Sequence, residues 1–148
     1  MCYRFTKDPA YLKQSEGIAD FFLNLPNMPE DFVPYWDMKA PGVDGLQSHV
    51  AVDSVPRDAS AAALIASGLY ELCTYITPEK GKRYKSIADK IVGNLGRHYQ
   101  AEPGTHYGFL LLHSTGHYPG GSEIDVPLNY ADYFYLEALA RKEALDNQ

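Results

Sequence analysis

The sequence has few cysteines, no basic cluster and no long apolar run, and each absence excludes a class of protein. The 148 residues include two cysteines, Cys2 and Cys73. They form no motif with each other or with histidines, so we expect neither a disulfide framework nor a zinc site. The formal net charge is −6 and lysines and arginines form no run, which argues against nucleic acid and anionic membranes as partners. The apolar runs are too short to span a membrane.

The composition that is present is that of a folded domain with many aromatic rings. Hydrophobic residues make up 45% and charged residues 22% of the chain, proportions typical of globular proteins rather than disordered ones. There are 12 tyrosines, 6 phenylalanines and 1 tryptophan. Aromatic rings pack into cores and also stack on the apolar faces of sugars. A tyrosine-rich helical core would account for most of them even if a few line a site.

The last part of the chain predicts a polar loop followed by a helix. Gly116, Pro119 and Gly120–Gly121 mark residues 113–124 as a loop. Asp125 as N-cap and Pro127 in the first turn predict a helix near residues 126–144. Its expected apolar face consists of Leu128, Ala131, Tyr135, Leu136 and Leu139. A loop that leads into a helix N-terminus suits an acidic sugar or a phosphate, although ordinary surface loops have the same pattern.

Three further helices are predicted upstream. Asp8 and Pro9 start a helix near 8–25, which ends at the following prolines. Asp58 starts a second helix near 57–77, expected to stop at Pro78 and, because it is rich in small residues, to lie in the interior. A third spans about 82–100. The first five residues carry no helix-start signal, and residues 27–56 are predicted to form an ordered loop that contains Trp36, the only tryptophan.

An internal repeat suggests how these helices are arranged. The triplet Ile-Ala-Asp at 18–20 recurs at 87–89, and in both cases a longer helix follows after a loop. Repeated helical hairpins indicate an all-α solenoid or a closed α/α toroid. Two such units cannot close a ring by themselves.

Four segments resemble a known family. They are YLKQSEGIADFFL, VPYWDMKAP, RDASAAALIASGLYEL and HSTGH…SEIDVPLNYADYFYLEAL, at 11–23, 33–41, 57–72 and 113–139. In this order they resemble the C-terminal portion of bacterial unsaturated glucuronyl hydrolases, glycoside hydrolase family 88. Unsaturated rhamnogalacturonyl hydrolases share the architecture, but their chain ends look less like SEIDVPLNYADY.

The resemblance implies a fold and a reaction. The fold would be a partial (α/α)6 toroid, with residues 1–148 forming a single C-terminal fragment that carries the last two or three of six hairpins. Family members act on the unsaturated uronic acid that polysaccharide lyases leave at the end of an oligosaccharide. They hydrate its C4=C5 double bond, and the resulting hemiketal collapses and releases the sugar. A pair of aspartates serves as acid and base, and no cofactor is implied.

The resemblance places the catalytic aspartates upstream of this chain. We therefore expect no catalytic residue and no metal here, and an isolated chain that is inactive. The substrate-binding candidates are Trp36, Asp37, Arg57, Asp58, His113, Ser114, Gly116 and His117, with Tyr35, Ser60 and Thr115 in the same segments. The alternative to substrate contact is helix capping and ion pairing for Arg57 and Asp58. For Trp36, the alternative to stacking on a sugar is packing in the core.

Several alternatives stay open at this stage. The chain could be a non-catalytic α/α-toroid module that binds carbohydrate or protein. A metal site at His113 and His117, with His106 nearby, lacks a completing carboxylate or cysteine. A cut toroid would leave apolar edges, so we expect the chain to pair with a missing N-terminal half or to self-associate. The resemblance to bacterial enzymes is compatible with a location in the cytoplasm or in the periplasm.

Overall fold

The computed structural model describes residues 2–39 and 55–147, and both stretches are helical. The described residues form five α-helices: α1 (Cys2–Thr6), α2 (Pro9–Leu23), α3 (Ala59–Leu72), α4 (Pro78–Asn94) and α5 (Asn129–Asp146). A π-helical turn, Leu95–Tyr99, extends α4, and short 3-10 turns occupy His106–Gly108 and Tyr118–Gly120. Within the described residues, β-structure is limited to isolated bridges. The all-α prediction is confirmed, while residues 40–54 of the predicted ordered loop lie outside the described part.

Helix α3 is the centre of the packing. It contacts α4 on one side and α5 on another, and four of its alanines, at 59, 62, 63 and 66, have no exposed surface. Small side chains allow neighbouring helices to approach closely, because little volume separates the backbones. The interior position expected for this helix is confirmed.

Two helix starts follow the sequence signals. The Asp8 carboxylate accepts a hydrogen bond from the Ala10 amide at 2.9 Å, and Pro9 is the first residue of α2. The Asp58 carboxylate accepts from the Ser60 amide at 3.0 Å and caps α3. These side chains satisfy amides that a helix cannot pair internally.

Two local predictions are wrong. Pro78 does not stop the second helix; α3 ends at Leu72, and Pro78 is the first residue of α4, where its missing N–H costs nothing. Asp125 does not cap the last helix, which begins at Asn129 behind Leu128 without a side-chain cap. Residues Cys2–Thr6 form α1 although they carry no helix-start signal.

The apolar face of α5 also differs from the predicted one. Leu128, Ala131 and Tyr135 are buried, but Leu136 is 53% exposed and Leu139 37% exposed. Ala138 is fully buried instead. A small side chain is needed there because α5 packs closely on α3.

The aspartate of each Ile-Ala-Asp triplet accepts a hydrogen bond from a tyrosine on another helix. The Tyr84 hydroxyl of α4 donates to Asp20 of α2 at 2.6 Å, and the Tyr70 hydroxyl of α3 donates to Asp89 of α4 at 2.7 Å. Burial, and then the bond to Asp20, raises the pKa of Tyr84 to about 12. Asp20 thus connects α2 to α4, and Asp89 connects α4 to α3.

Two apolar faces of the described structure are uncovered. A groove of about 370 Å³ runs between α1, α2 and α3, and its apolar lining includes Leu12, Ile18, Phe22, Leu64, Ile65 and Tyr75. Of the fifteen residues of α2, only Leu23 is buried. On α5, Tyr133 and Leu136 point to solvent. No described helix has the length and hydropathy needed to cross a bilayer.

Candidate functional site

The two long connections of the chain meet and form a common rim. The amide of Ala59, at the start of α3, donates to the His113 carbonyl at 3.0 Å, and the Thr115 hydroxyl donates to the Arg57 carbonyl at 3.1 Å. Trp36 stacks on Tyr118, with ring centroids 4.5 Å apart and planes inclined by 15°. The structure thus brings the segments at 35–37, 57–60 and 113–118 together. Their role as a substrate site stays a prediction.

Arg57 and Asp58 make structural contacts. The Arg57 Nε donates to the Val33 carbonyl at 2.9 Å, and its guanidinium pairs with the Asp31 carboxylate and lies over the Tyr35 ring. The Asp58 carboxylate accepts from the amide and the hydroxyl of Ser60, at 3.0 and 2.6 Å. Both side chains therefore hold the rim in place, whatever else they contact.

Trp36 and Asp37 lie next to the bridge between Tyr35 and Arg57. The Trp36 amide donates to the Pro56 carbonyl at 3.0 Å. Its indole Nε1 is buried and bonds to none of the described residues. The Asp37 carboxylate accepts from the Lys39 amide at 2.8 Å, a local turn that occupies one of its oxygens. One face of the Trp36 ring thus packs against the Tyr118 ring.

Asp31 and Tyr99 belong to the same rim, and the sequence analysis missed both. The Tyr99 hydroxyl donates to Asp31 at 2.8 Å, and the Asn94 side-chain amide donates to the Asp31 carbonyl at 3.0 Å. Burial, and then the bond to Asp31, raises the pKa of Tyr99 to about 12. These contacts join residues far apart in sequence, so no local pattern announces them.

His113 and Asp125 face each other across the last loop. The His113 Nδ1 and Asp125 Oδ1 atoms are 2.7 Å apart, and the Tyr99 ring meets the imidazole edge to face at 6.0 Å. Both residues have positive φ, 62° at His113 and 54° at Asp125. The Asp125 amide donates to the Thr115 hydroxyl at 3.3 Å. Asp125 is therefore part of the loop and not the cap of α5.

Ser114, Gly116 and His117 occupy different environments. Ser114 is fully buried and pairs by its backbone with Val126, while its hydroxyl bonds to none of the described residues. A Cβ at Gly116 would meet the Glu123 carboxylate and lie 2.7 Å from the Tyr130 hydroxyl, so a larger residue there would displace the ends of these two side chains. The His117 ring lies against Gly120. Within residues 2–39 and 55–147, no group of three or more His, Cys, Asp or Glu is arranged to hold a metal.

Tyr130 adds a polar group beside Gly116. Burial, then the charges of Asp58 and Glu123, raise the pKa of its phenol, which also bonds Ser60. Hydroxyls and carboxylates gathered next to stacked rings are the groups that bind sugars. Tyr118, Glu123 and Tyr130 were not among the predicted site residues, although all three lie in the segment that carries the resemblance.

No family model matches the chain. Comparison with individual known proteins, however, finds relatives with closely similar names. It is 40% identical over 146 residues to an unsaturated glucuronyl hydrolase of Formosa agariphila, covering 98% of the chain and 34% of the relative. It is 30% identical over 143 residues to an unsaturated chondroitin disaccharide hydrolase of Streptococcus pneumoniae, covering 95% and 33%.

Solved structures agree with these relatives. A crystal structure of an unsaturated glucuronyl hydrolase specific for heparin matches 99% of the chain and 37% of its own length, with a TM-score of 0.87 and 42% identity. The unsaturated glucuronyl hydrolase of Bacillus sp. GL1 matches 95% and 35%, with a TM-score of 0.80 and 29% identity.

These matches define first a fold and then a family. The helices α2 to α5 have the arrangement found in α/α toroids, so the chain forms part of such a toroid. More particularly, the chain is homologous to the unsaturated glucuronyl hydrolases. It spans about a third of the length of the curated relatives it matches.

Proposed function

We propose that the chain is the C-terminal third of a glycoside hydrolase that releases unsaturated uronic acid from lyase-generated oligosaccharides. In this reaction the C4=C5 double bond is hydrated and the resulting hemiketal collapses. The observation that supports it most strongly is the match to a hydrolase over nearly the whole chain, at 40% identity. The rim formed by the two long connections would contribute one wall of the substrate site.

The contacts of the aspartates in this chain support the proposal that the catalytic acid and base lie elsewhere in the enzyme. Asp58 caps α3, Asp31 binds Arg57 and Tyr99, and Asp132 accepts two backbone amides, from Leu110 and Leu111, at 2.9 Å each. A general acid or base must be able to reach the substrate proton. Carboxylates held this firmly by the fold suit a structural role, so we assign the acid and base to the part of the enzyme upstream of this chain.

The uncovered groove supports an intramolecular partner. The groove lies between α1, α2 and α3, the first helices of the chain, and the relatives are about three times longer. We therefore propose that the preceding part of the same enzyme covers it. At about 25 cal/mol per Å², a helical hairpin that buries several hundred Å² of apolar surface there would stabilise the assembly by roughly 10 kcal/mol before association costs. Self-association through the same face is the competing occupant.

The test compares the 148-residue chain, the full-length protein and an equimolar mixture of the chain with the complementary portion. Loss of the double-bond absorbance of an unsaturated disaccharide measures turnover, and light scattering measures mass. We expect activity in the full-length protein, none in the chain alone, and partial activity with a 1:1 mass in the mixture.

Other outcomes separate the alternatives. Turnover by the chain alone at a rate close to that of the full-length protein would mean that the acid and base lie within it. A full-length protein that binds the disaccharide without hydrating it would support a non-catalytic carbohydrate-binding module. A dimer of the chain that excludes the complementary portion would favour self-association.

A further inference from the structure

The pair His113–Asp125 combines strained backbone with an exposed hydrogen bond. His113 and Asp125 have φ of 62° and 54°, a region that side chains with a Cβ adopt at a cost in free energy. Their side chains are 47% and 56% exposed, so burial of apolar surface does not offset that cost. Backbone conformations of this kind cluster at active sites and ligand clamps.

The hydrogen bond fixes which imidazole nitrogen faces solvent. A carboxylate can only accept, so the 2.7 Å contact with Asp125 places a proton on His113 Nδ1. In the neutral ring the other nitrogen, Nε2, then carries the lone pair. None of the described residues bonds Nε2.

The ring is also held from the side. The Tyr99 ring meets the imidazole edge to face at 6.0 Å, and the Tyr99 hydroxyl is fixed by Asp31 at 2.8 Å. The imidazole is therefore oriented by a carboxylate on the last loop and by an aromatic ring at the end of the helical turn that extends α4. Such fixed orientation is what a directional hydrogen bond to a ligand requires.

We propose that His113 Nε2 accepts a hydrogen bond from a hydroxyl of the sugar linked to the unsaturated uronic acid, and that Asp125 is its positioning residue. A neutral hydroxyl fits better than an anionic group because residues 113–126 contain Glu123 and Asp125 but no lysine or arginine. The inference rests on the proposed function, since it names a contact within the same site.

The kinetic test uses the full-length enzyme with an unsaturated disaccharide. Asp125→Gly removes the carboxylate and relieves the strained φ, whereas Asp125→Asn keeps an acceptor oxygen on a residue that tolerates positive φ. We expect Asp125→Gly to raise KM about tenfold with little change in kcat, as for loss of an outer partner that orients a ligand-binding histidine. Asp125→Asn should restore most of the affinity.

The control separates strain from binding. Lys7 has φ of 58° between α1 and α2, so Lys7→Gly relieves similar strain away from the rim. We expect both glycine variants to keep or raise the thermal midpoint, and Lys7→Gly to leave KM unchanged. A purely structural Asp125 would instead lower the thermal midpoint of Asp125→Gly without raising KM.

Nitrogen-15 chemical shifts of the His113 ring give a readout independent of activity. In the 148-residue chain we expect the Nδ1-protonated tautomer, and a mixture of tautomers in Asp125→Gly. An Nε2-protonated ring beside Asp125, or an active Asp125→Gly enzyme with unchanged KM, would overturn the inference while leaving the proposed function intact. An inactive full-length protein would contradict both the proposed function and this inference.

Discussion

Helices α2 and α4 have the same Ile-Ala-Asp triplet and very different surroundings. In α4, Tyr84, Ala88 and Ile91 are completely buried, whereas in α2 Leu23 is the only buried residue and Ile18 is 59% exposed. The α4 helix contacts both α3 and α5, while α2 contacts α1 and α3 and leaves its remaining face in the groove. The same triplet thus lies in a helix that is packed on two sides in one case, and in a helix with an uncovered apolar face in the other.

The two helices also begin in different ways. Both helices begin with a proline, but only α2 has a side-chain cap, from Asp8, while Thr77 before α4 makes no side-chain cap bond. A helix with little tertiary contact depends on its local signals, because short helices are marginal in water. A helix that is packed on two sides, such as α4, is stable without a side-chain cap.

The largest expected difference is between a buried isoleucine of α4, Ile91, and an exposed isoleucine of α2, Ile18. In the 148-residue chain, Ile91→Ala should lower the free energy of unfolding by about 2–5 kcal/mol, because it leaves a cavity in the core. Ile18→Ala should change it by less than about 0.5 kcal/mol, since the side chain is mostly in solvent. Urea unfolding measures both.

Measuring Ile18→Ala in the full-length protein as well extends this comparison. If another part of the enzyme covers α2, Ile18→Ala becomes clearly destabilising there. Equal and small effects of Ile18→Ala in both proteins would show that the groove stays open.

Alkaline pH tests the tyrosine contact that joins the two helices. The Tyr84 pKa of about 12 in the folded chain lies above its ordinary value of 10.0, so the unfolded chain ionises first. Its contribution is therefore complete below pH 10 and is lost between pH 10 and 12, at up to about 1.4 kcal/mol per pH unit. Tyr84→Phe should make the urea midpoint fall less steeply over this range than in the unmodified chain.

Tyr99 provides an internal reference, because its pKa is raised to about 12 for the same reasons at the rim. Tyr99→Phe should reduce the alkaline slope to a similar extent while leaving α2 docked. Identical slopes in Tyr84→Phe and in the unmodified chain would show that the Asp20 bond carries no stability.

The smallest expected difference concerns the caps. Asp8→Ala should cost about 1 kcal/mol, as loss of an N-cap usually does, and should reduce the helical circular dichroism of the chain. Thr77→Ala should have almost no effect, because its hydroxyl caps nothing. Asp8→Asn, which can still cap, is the control, and a larger loss in Thr77→Ala than in Asp8→Ala would reverse the comparison.

What could be predicted from the sequence was mostly local. Asp8 with Pro9, and Asp58, mark helix starts because their side chains bond to amides two residues away. The repeat of helix, loop and longer helix predicted an all-α array because it is visible directly in the sequence.

What could not be predicted depends on distant partners. Pro78 is compatible both with the end of one helix and with the first turn of the next, and the packing of α4 on α3 decides between them. Asp125 has the chemistry of a cap, yet His113 takes its carboxylate. Of the rim, the segments were predicted, but Asp31 and Tyr99 were not, because Arg57 and the α4 end reach them only in the folded chain.

The stack of Trp36 on Tyr118 has an optical consequence. Trp36 is the only tryptophan of the chain, so its emission reports on one place, the contact between the two connections. A parallel ring at 4.5 Å changes the environment of the indole, and separation of the loops would shift its intensity and wavelength. The protein therefore carries its own fluorophore at the rim, and titration with a sugar can be followed there without any label.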